Sequence, residues 1–121
     1  MNKILIVDDD RSLRLLYKEE LGREGDEVIL AESGQEAIKR MKERRPDLIV
    51  LDIRMPQMDG IELLGKVLSK ERDIPIIINT AYASYKDDFR TWGAEHYLIK
   101  SSDLSELKTK IKEVLQAKKK K

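Results

Sequence analysis

The sequence predicts an α/β domain built on a parallel sheet, and three observations support this prediction. Short, uniformly apolar runs recur along the chain, amphipathic helical segments lie between them, and polar residues follow each run directly. Apolar runs of four to six residues are typical of strands that are buried on both faces, as in parallel sheets. The four clearest runs are residues 4–7, 48–51, 76–78 and 97–99.

The segments between these runs complete the pattern. Residues 28–31 form a weaker run that predicts an edge strand. The first helix should bury a stripe formed by Leu13, Leu16, Tyr17 and Leu21. Further helices are predicted after Ser33, after Gly60, from about Ser84 to Trp92, and from about Asp103 onward. Five strands alternating with five helices predict a three-layer, doubly wound (βα)5 sheet of the flavodoxin-like order 2-1-3-4-5.

Length and composition restrict the class of protein. With 121 residues the chain is long enough for one domain, so we expect a single domain over residues 1–121, with 116–121 as a frayed basic tail. Charged residues make up 39% of the chain but nearly cancel to +1, which does not favour binding to nucleic acid or to a membrane surface. There is no cysteine and no apolar run of membrane-spanning length, so a cytoplasmic protein is expected.

The residues that follow the apolar runs predict a functional site. Asp8 and Asp9 follow the first run, Asp52 follows the third, Thr80 ends the fourth strand, and Lys100 follows the fifth. In a parallel sheet the carboxyl ends of all strands meet at one edge, so these side chains should lie close together. The predicted strand order also places the switch point, where such sheets bind ligands, between the first and third strands.

The predicted site suits a phosphoryl group and a divalent ion. Three neighbouring carboxylates require a cation, and an oxygen-rich site with few protein ligands suits Mg²⁺, with Mn²⁺ as a substitute. The chain contains no glycine-rich phosphate loop, so a nucleotide is not the expected ligand. A carboxylate can itself act as nucleophile and form an aspartyl phosphate. Taken singly, these residues could be helix caps or solvated side chains, and the only histidine, His96, is expected to be a solvated strand-end residue.

Two longer motifs resemble a known family. The stretches KILIVDD at residues 3–9 and RPDLIVLDIRMPQMDG at residues 45–60, followed by Thr80-Ala81 and Lys100, resemble the receiver domains of response regulators. The likeness extends over nearly the whole chain and is nearest to single-domain receivers of phosphorelays and chemotaxis. It implies two-component signalling, in which a sensor histidine kinase or a histidine phosphotransferase donates a phosphoryl group.

The resemblance assigns roles to the acidic residues. It implies that Asp52 is the phosphoacceptor and that it also contributes to the metal site. Asp9 would bind Mg²⁺ directly and Asp8 largely through water, while the backbone carbonyl of Arg54 would be a further ligand. The protein would assist its own phosphorylation and dephosphorylation without being a turnover enzyme.

The resemblance also implies phosphate-binding and switch residues. Thr80, Ala81 and Lys100 match the positions that contact the phosphoryl oxygens. Thr80 and Tyr97 match a switch pair in which the aromatic ring turns inward when the hydroxyl moves toward the phosphate. The surface formed by the predicted fourth helix, fifth strand and fifth helix would then change and be presented to a downstream effector.

Two features bear on how closely the chain follows the family pattern. Family members usually have a proline after the lysine, in a cis peptide, whereas Ser101 follows Lys100 here. The peptide is therefore either a strained cis bond or a trans bond in an altered loop. Leu15 lies opposite the predicted core stripe of the first helix, which makes it a candidate contact for a histidine-bearing partner.

Other functions fit part of the sequence. Residues 8–12 match D-x-D-x-[TS], which resembles phosphatases of the haloacid dehalogenase type, with Asp8 as nucleophile and Asp10 as acid and base. That interpretation leaves Asp52 without a role. A third possibility is a receiver that has lost phosphorylation and serves only as a binding module. The sequence is compatible both with a free-standing relay protein and with the receiver of a larger regulator.

Overall fold

A computed structural model of the chain describes residues 2–53, 60–70, 73–82, 91 and 93–119. The strands are β1 (Lys3–Val7), β2 (Glu27–Ala31), β3 (Leu48–Leu51), β4 (Ile76–Thr80) and β5 (His96–Ile99). The helices in the described part of the chain are α1 (Arg11–Arg23), α2 (Gly34–Glu43), α3 (Gly60–Lys70) and α4 (Ser105–Lys119).

The five strands form one parallel sheet in the order β2-β1-β3-β4-β5, which confirms the predicted fold class and strand order. In the register of the sheet, Val7 of β1 lies beside Ala31 of β2 on one side and beside Leu51 of β3 on the other. The first and third strands therefore end level with each other. The residues that follow them begin at the same height on the carboxyl edge of the sheet.

The helices agree with the predictions in part. The segment predicted to be helical from about Ser84 to Trp92 lies outside the described residues, apart from Thr91. The last helix, α4, begins at Ser105, and the preceding Asp103 side chain accepts hydrogen bonds from the Ser105 N–H and hydroxyl. It continues to Lys119, so residues 116–119 are helical where we expected a frayed tail.

Two apolar layers enclose the sheet. On one side, α2 and α3 cover one set of strand residues, and on the other side α1 and α4 cover the alternating set. The layer beneath α2 and α3 includes Leu5, Ile49, Ile76, Ile78 and Leu64. The layer beneath α1 and α4 includes Ile4, Ile6, Val50, Ile77, Tyr17, Leu21 and Ile111.

The predicted apolar stripe of α1 was wrong at one position. Tyr17 and Leu21 are buried, but Leu16 is 39% exposed. Leu15 is 51% exposed, as its position opposite the stripe suggested. Ile99 is also exposed, because β5 is an edge strand and is not covered on both faces as an interior strand would be.

Local signals in the sequence fix the ends of α1. The Asp10 side chain accepts a hydrogen bond from the Leu13 N–H at 3.2 Å and so caps the first turn. At the other end, Gly25 has a φ of 88°, a conformation that favours glycine, and its N–H donates to the Gly22 carbonyl.

Two ion pairs connect the outer helices α1 and α4. Glu20 pairs with Lys108 at 3.1 Å, and four residues farther along both helices Glu24 pairs with Lys112 at 3.5 Å. The constant spacing shows that the two helices run parallel and in register.

No helix in the described part of the chain is long and apolar enough to cross a membrane.

Candidate functional site

The predicted site residues converge at the carboxyl edge of the sheet. Asp8 follows β1, Asp52 follows β3 and Thr80 ends β4, and these residues are 2%, 5% and 0% exposed. The backbone fixes the two aspartates, because the Asp52 N–H donates to the Val7 carbonyl and the Asp8 N–H donates to the Ala31 carbonyl. The prediction that these strand ends form one cleft is confirmed.

Lys100 joins the two buried carboxylates. Its Nζ lies 2.7 Å from Asp52 Oδ2 and 2.8 Å from Asp8 Oδ2, and its side chain is 17% exposed. Burial alone would lower the pKa of the Lys100 ammonium, but the hydrogen bonds to Asp52 and Asp8 outweigh burial and raise that pKa. Lys100 is therefore held as a cation between two anions.

Thr80 occupies the other side of Asp52. Its hydroxyl donates to Asp52 Oδ1 at 2.9 Å, so both oxygens of this carboxylate have a partner on the protein. The Thr80 hydroxyl also accepts a long hydrogen bond, 3.4 Å, from the Tyr82 N–H. Its carbonyl accepts from the Lys100 N–H at 2.8 Å, which ties the ends of β4 and β5 together.

The acidic residues form a group that fits a hard cation. Asp8, Asp9 and Asp52 each offer an oxygen, and these oxygens lie within 4.8 Å of one another. Asp9 is exposed while the other two are buried, which leaves a side open to solvent where bound water could remain. Burial raises the pKa of the Asp8 carboxyl, despite the opposing hydrogen bonds from Lys100 and the Asp10 N–H. Crowded, desolvated carboxylates of this kind are stabilised by a cation.

The loop between β1 and α1 is held in place by an arginine that the sequence analysis did not identify. Arg14 Nη1 donates to the Asp8 carbonyl at 2.8 Å, and Nη2 lies 3.9 Å from the Glu32 carboxylate. The Asp10 N–H donates to Asp8 Oδ1 at 2.9 Å. A signal was present in the sequence, since Arg14 falls one turn before buried Tyr17 on the inner side of α1.

Two further residues were expected to act at this site, Ala81 as a phosphate-binding residue and Tyr97 as a switch residue. Ala81 directly follows β4 and is exposed. Tyr97 on β5 is partly buried against the apolar layer, and its hydroxyl donates to the Tyr82 carbonyl. Arg54, whose backbone carbonyl was expected to bind the metal, lies outside the described residues.

The peptide bond after Lys100 is trans, since no cis peptide bond occurs in the described ranges. Lys100 still reaches both carboxylates. Ser101 takes part in the next turn, where its hydroxyl accepts a hydrogen bond from the Asp103 N–H at 3.1 Å. Of the two alternatives for this loop, the structure therefore has the trans bond.

Gly60, at the start of α3, packs against the backbone that carries Asp52. A Cβ atom at this position would lie 2.4 Å from the Asp52 carbonyl oxygen and 2.3 Å from the Ile53 Cα. The Gly60 N–H donates to the Ile53 carbonyl at 2.9 Å. A side chain at position 60 would therefore displace the acidic residue itself.

Residues outside the cleft were placed as follows. His96 begins β5 and is partly exposed, so it lies at the opposite edge of the sheet from the acidic group. Asp10, which the phosphatase interpretation required as acid and base, is exposed and caps α1. Neither residue contributes a side chain to the contacts around Asp52.

Comparison with known proteins identifies the family. A family model for the response regulator receiver domain matches residues 4–112. Among solved structures, response regulator protein TrrA from Thermotoga maritima in complex with Mg²⁺-BeF is 44% identical, with a TM-score of 0.90 over 93% of this chain and 98% of that chain. The same regulator in complex with histidine kinase ThkA gives a TM-score of 0.89 at 44% identity, over 95% and 99% of the two chains.

Curated relatives differ in length from this chain. Sporulation initiation phosphotransferase F of Bacillus subtilis is 36% identical over 118 residues, which cover 96% of this chain and 95% of that protein. The regulatory protein AtoC of Escherichia coli is 37% identical, but the match covers only 26% of its length. The chain thus spans about a quarter to a half of several relatives and nearly all of another.

The family match bears on one of the alternatives that the sequence left open, the phosphatase interpretation. The phosphatase interpretation left Asp52 without a role, whereas the structure places Asp52 at the centre of the hydrogen-bonded cleft. The matching model covers both acidic motifs, Thr80 and Lys100. With this fold and this match over most of its length, the chain belongs to the response regulator receiver domains of two-component signalling.

Proposed function

We propose that Asp52 accepts a phosphoryl group from a phosphohistidine. The observation that carries this proposal is the position of the Asp52 carboxylate, which is buried, held at both oxygens and adjacent to Asp8 and Asp9. A carboxylate oxygen of Asp52 attacks phosphorus, the new P–O bond forms, and the P–N bond to the imidazole breaks. The imidazole leaves with the electron pair and takes up a proton.

The acidic group supports a requirement for Mg²⁺ in this reaction, with Mn²⁺ as an alternative ion. Asp8, Asp9 and Asp52 would hold the ion, together with the Arg54 carbonyl that the resemblance adds. When bound, the ion neutralises negative charge on the carboxylates and on the transferred phosphoryl oxygens. A Mg²⁺-BeF complex of the similar protein TrrA supports this choice of ion.

The protein's own donors would bind the phosphoryl oxygens. Lys100 already contacts Asp52 Oδ2 and would pair with the new negative charge, and the Thr80 hydroxyl would turn from the carboxylate to a phosphoryl oxygen. The N–H of Ala81, the next residue, would donate as well. Lys100 is held beside the carboxylate before the reaction, so this donor needs little reorganisation as charge develops.

Phosphorylation would change the surface around β5 through Thr80 and Tyr97. When the Thr80 hydroxyl moves toward the phosphoryl group, space opens beside β4, and the Tyr97 ring would leave the Tyr82 carbonyl and turn inward. This is a two-state element biased by a new divalent charge. The altered surface would include β5, α4 and the segment predicted to be the fourth helix.

The partners follow from the same chemistry. A sensor histidine kinase or a histidine phosphotransferase would donate the phosphoryl group, and the kinase complex of TrrA supports this kind of partner. Exposed Leu15 on α1 is a candidate contact for it. A downstream effector protein would bind the altered surface, without direct contact to nucleic acid or membrane. A cytoplasmic location and a single receiver domain over residues 1–121 complete the proposal.

Phosphorylation by a small donor tests the proposal directly. Wild-type protein incubated with acetyl phosphate and Mg²⁺ should gain the mass of one phosphoryl group, and Asp52→Asn should gain none. Asp10→Asn is a matched control, because Asp10 is an exposed carboxylate in the adjacent loop that only caps α1. Labelling of Asp52→Asn, with the phosphoryl group on Asp8, would instead favour the phosphatase chemistry. An unlabelled wild-type protein would favour the binding-module interpretation.

A further inference from the structure

A buried polar contact links α1 to β4 inside an otherwise apolar layer. Asn79 Nδ2 donates a hydrogen bond to the Tyr17 phenolic oxygen at 3.0 Å. Asn79 is 4% exposed and Tyr17 is 2% exposed. Because side chains alternate along a strand, Asn79 points to the same side as Ile77, toward α1 and α4, while Thr80 points to the other side.

Breaking this hydrogen bond would leave two buried polar groups without a partner, which would raise the free energy of the folded state. Burying an amide or a phenol without a partner is unfavourable by far more than a net hydrogen bond contributes, so the two side chains hold each other in one arrangement. An apolar pair would fill the same space without this constraint. A buried hydrogen-bonded pair restricts the core around it to one geometry. It therefore also restricts the backbone of the residues next to the pair.

The neighbour of Asn79 is the hydroxyl-bearing residue of the site. Thr80 directly follows Asn79, its hydroxyl donates to Asp52, and its carbonyl accepts from the Lys100 N–H. Tyr17 therefore anchors β4 one residue before the atom that must contact a phosphoryl oxygen.

The same helix also holds the acidic loop. Arg14, three residues before Tyr17 on α1, donates to the Asp8 carbonyl. Burial raises the pKa of the Tyr17 phenol, and the charges of Lys100, Asp8 and Asp52 act on it as well, which agrees with a ring close beneath the site. Helix α1 thus contacts both the β1 loop and the end of β4.

We propose that Tyr17 and Asn79 are positioning residues that hold the end of β4, so that the Thr80 hydroxyl lies within reach of a phosphoryl oxygen on Asp52. The inference rests on the proposed function of Asp52 and extends it to two residues outside the cleft. Removing the hydrogen bond would let the end of β4 shift. Part of the binding free energy would then be used to order Thr80, and the affinity for a phosphoryl group would fall.

Two variants and a control test this inference. Tyr17→Phe removes only the phenolic oxygen, and Asn79→Leu replaces the amide by an apolar side chain of similar size. Leu21→Val is the control, since Leu21 is buried in the same helix and the same apolar layer one turn farther along α1. Urea unfolding confirms that all variants fold and ranks their stabilities.

The first measurement is the affinity for beryllofluoride in the presence of Mg²⁺. Tyr17→Phe and Asn79→Leu should each bind about three- to tenfold more weakly than wild type, which corresponds to loss of one ordinary hydrogen bond. The double variant should bind no more weakly than the weaker single variant, because either change removes the same contact. Leu21→Val should stay within about twofold of wild type.

The second measurement keeps this inference separate from the proposed function. The NMR signals of the Thr80 methyl group in the free protein should shift in Tyr17→Phe, whose substitution is remote from Thr80 along the chain, but not in Leu21→Val. Wild-type affinity and an unshifted methyl signal in Tyr17→Phe would overturn the positioning role, as would an equal effect of Leu21→Val. If wild-type protein binds no beryllofluoride, the proposed function fails, and the methyl signals alone decide the positioning role.

Discussion

The two edges of the sheet both carry charged residues, but only the carboxyl edge buries them. There, Lys100 lies between Asp8 and Asp52, whose side chains are almost fully enclosed. At the amino edge, Arg45 pairs with Asp73 at 2.5 Å, yet their side chains are 46% and 74% exposed. Charges interact more strongly where water is excluded. The electrostatic interactions at the two edges therefore differ because of burial and not because of the number of charges.

A cavity at the amino edge also differs from the acidic cleft at the carboxyl edge. It has a volume of about 520 Å³, larger than the acidic cleft would need for a phosphoryl group, and its lining includes Asp73, Glu95, His96 and Glu113. Within the described residues, the one group of three acidic or histidine side chains close enough to share an ion is Asp8, Asp9 and Asp52. In the part of the chain that the structure describes, the cavity at the amino edge therefore offers volume without such an acidic group.

The largest expected effect at the carboxyl edge is that of Lys100→Met. In EDTA this change leaves two buried carboxylates without their ammonium partner, so the free energy of unfolding should fall by about 2–4 kcal/mol at pH 7. Lys108→Met, which removes an ammonium paired with Glu20 on the outer helices, should cost less than about 1 kcal/mol. Urea unfolding measures both changes.

Two further observations sharpen that test. Excess Mg²⁺ should restore part of the stability of Lys100→Met, because ligand binding to the folded state adds to its stability. The pKa of Lys100 is raised on folding, so its contribution is fully present below its ordinary pKa of 10.5 and is lost as pH rises through the raised value. Equal stability of Lys100→Met and Lys108→Met would contradict the contrast between a charge enclosed with two buried carboxylates and a charge in a partly buried pair between helices.

A smaller effect of opposite sign is expected for Asp8→Asn in EDTA. The pKa of Asp8 is raised above its ordinary value of 3.8 by burial, so the folded state binds more protons than the unfolded state in that interval. The contribution of Asp8 to stability therefore decreases as pH rises through this window. We expect Asp8→Asn to be more stable than wild type at pH 7, by about 1–2 kcal/mol.

The pH dependence of this difference distinguishes its cause. The advantage of Asp8→Asn over wild type should shrink toward pH 4, as Asp8 of the wild type becomes protonated. Urea unfolding at several pH values measures it. An advantage that stays constant with pH would mean that packing, and not ionisation of Asp8, is responsible.

The smallest effect is expected at the amino edge. Asp73→Asn removes one partner of an exposed ion pair, so the free energy of unfolding should change by less than about 0.5 kcal/mol. Any change should fade when the salt concentration is raised, because exposed pairs are screened. A loss comparable to that of Lys100→Met would remove the distinction between the two edges.

The sequence predicted the sheet and the convergence of its acidic residues because both depend on repeating patterns. Uniform apolar runs identified the interior strands, and parallel topology then required that Asp8, Asp52 and Thr80 meet at one edge. The same pattern misjudged Leu16, which is 39% exposed although it lies next to buried Tyr17. Helical periodicity indicates the centre of a buried stripe but not its width, so it does not state whether a residue at the border of the stripe is covered.

The contacts between layers could not be predicted in the same way. Nothing in the sequence relates Tyr17 to Asn79, which are far apart along the chain and meet only because the buried Tyr17 side chain of α1 reaches the Asn79 amide on β4. For Arg14 the sequence indicates a position on the inner side of α1, but not that its guanidinium donates to the Asp8 carbonyl. Such pairings depend on how helices seat against the sheet, which periodicity leaves undetermined.

The paired carboxylates and ammoniums between α1 and α4 have a mechanical consequence. Because Glu20 and Glu24 each meet a lysine of α4 at the same offset, the two helices resist sliding past each other along their axes. A protein that binds and displaces one of these helices would therefore also displace the other. Raising the ionic strength would loosen this linkage without disturbing the apolar contacts beneath it.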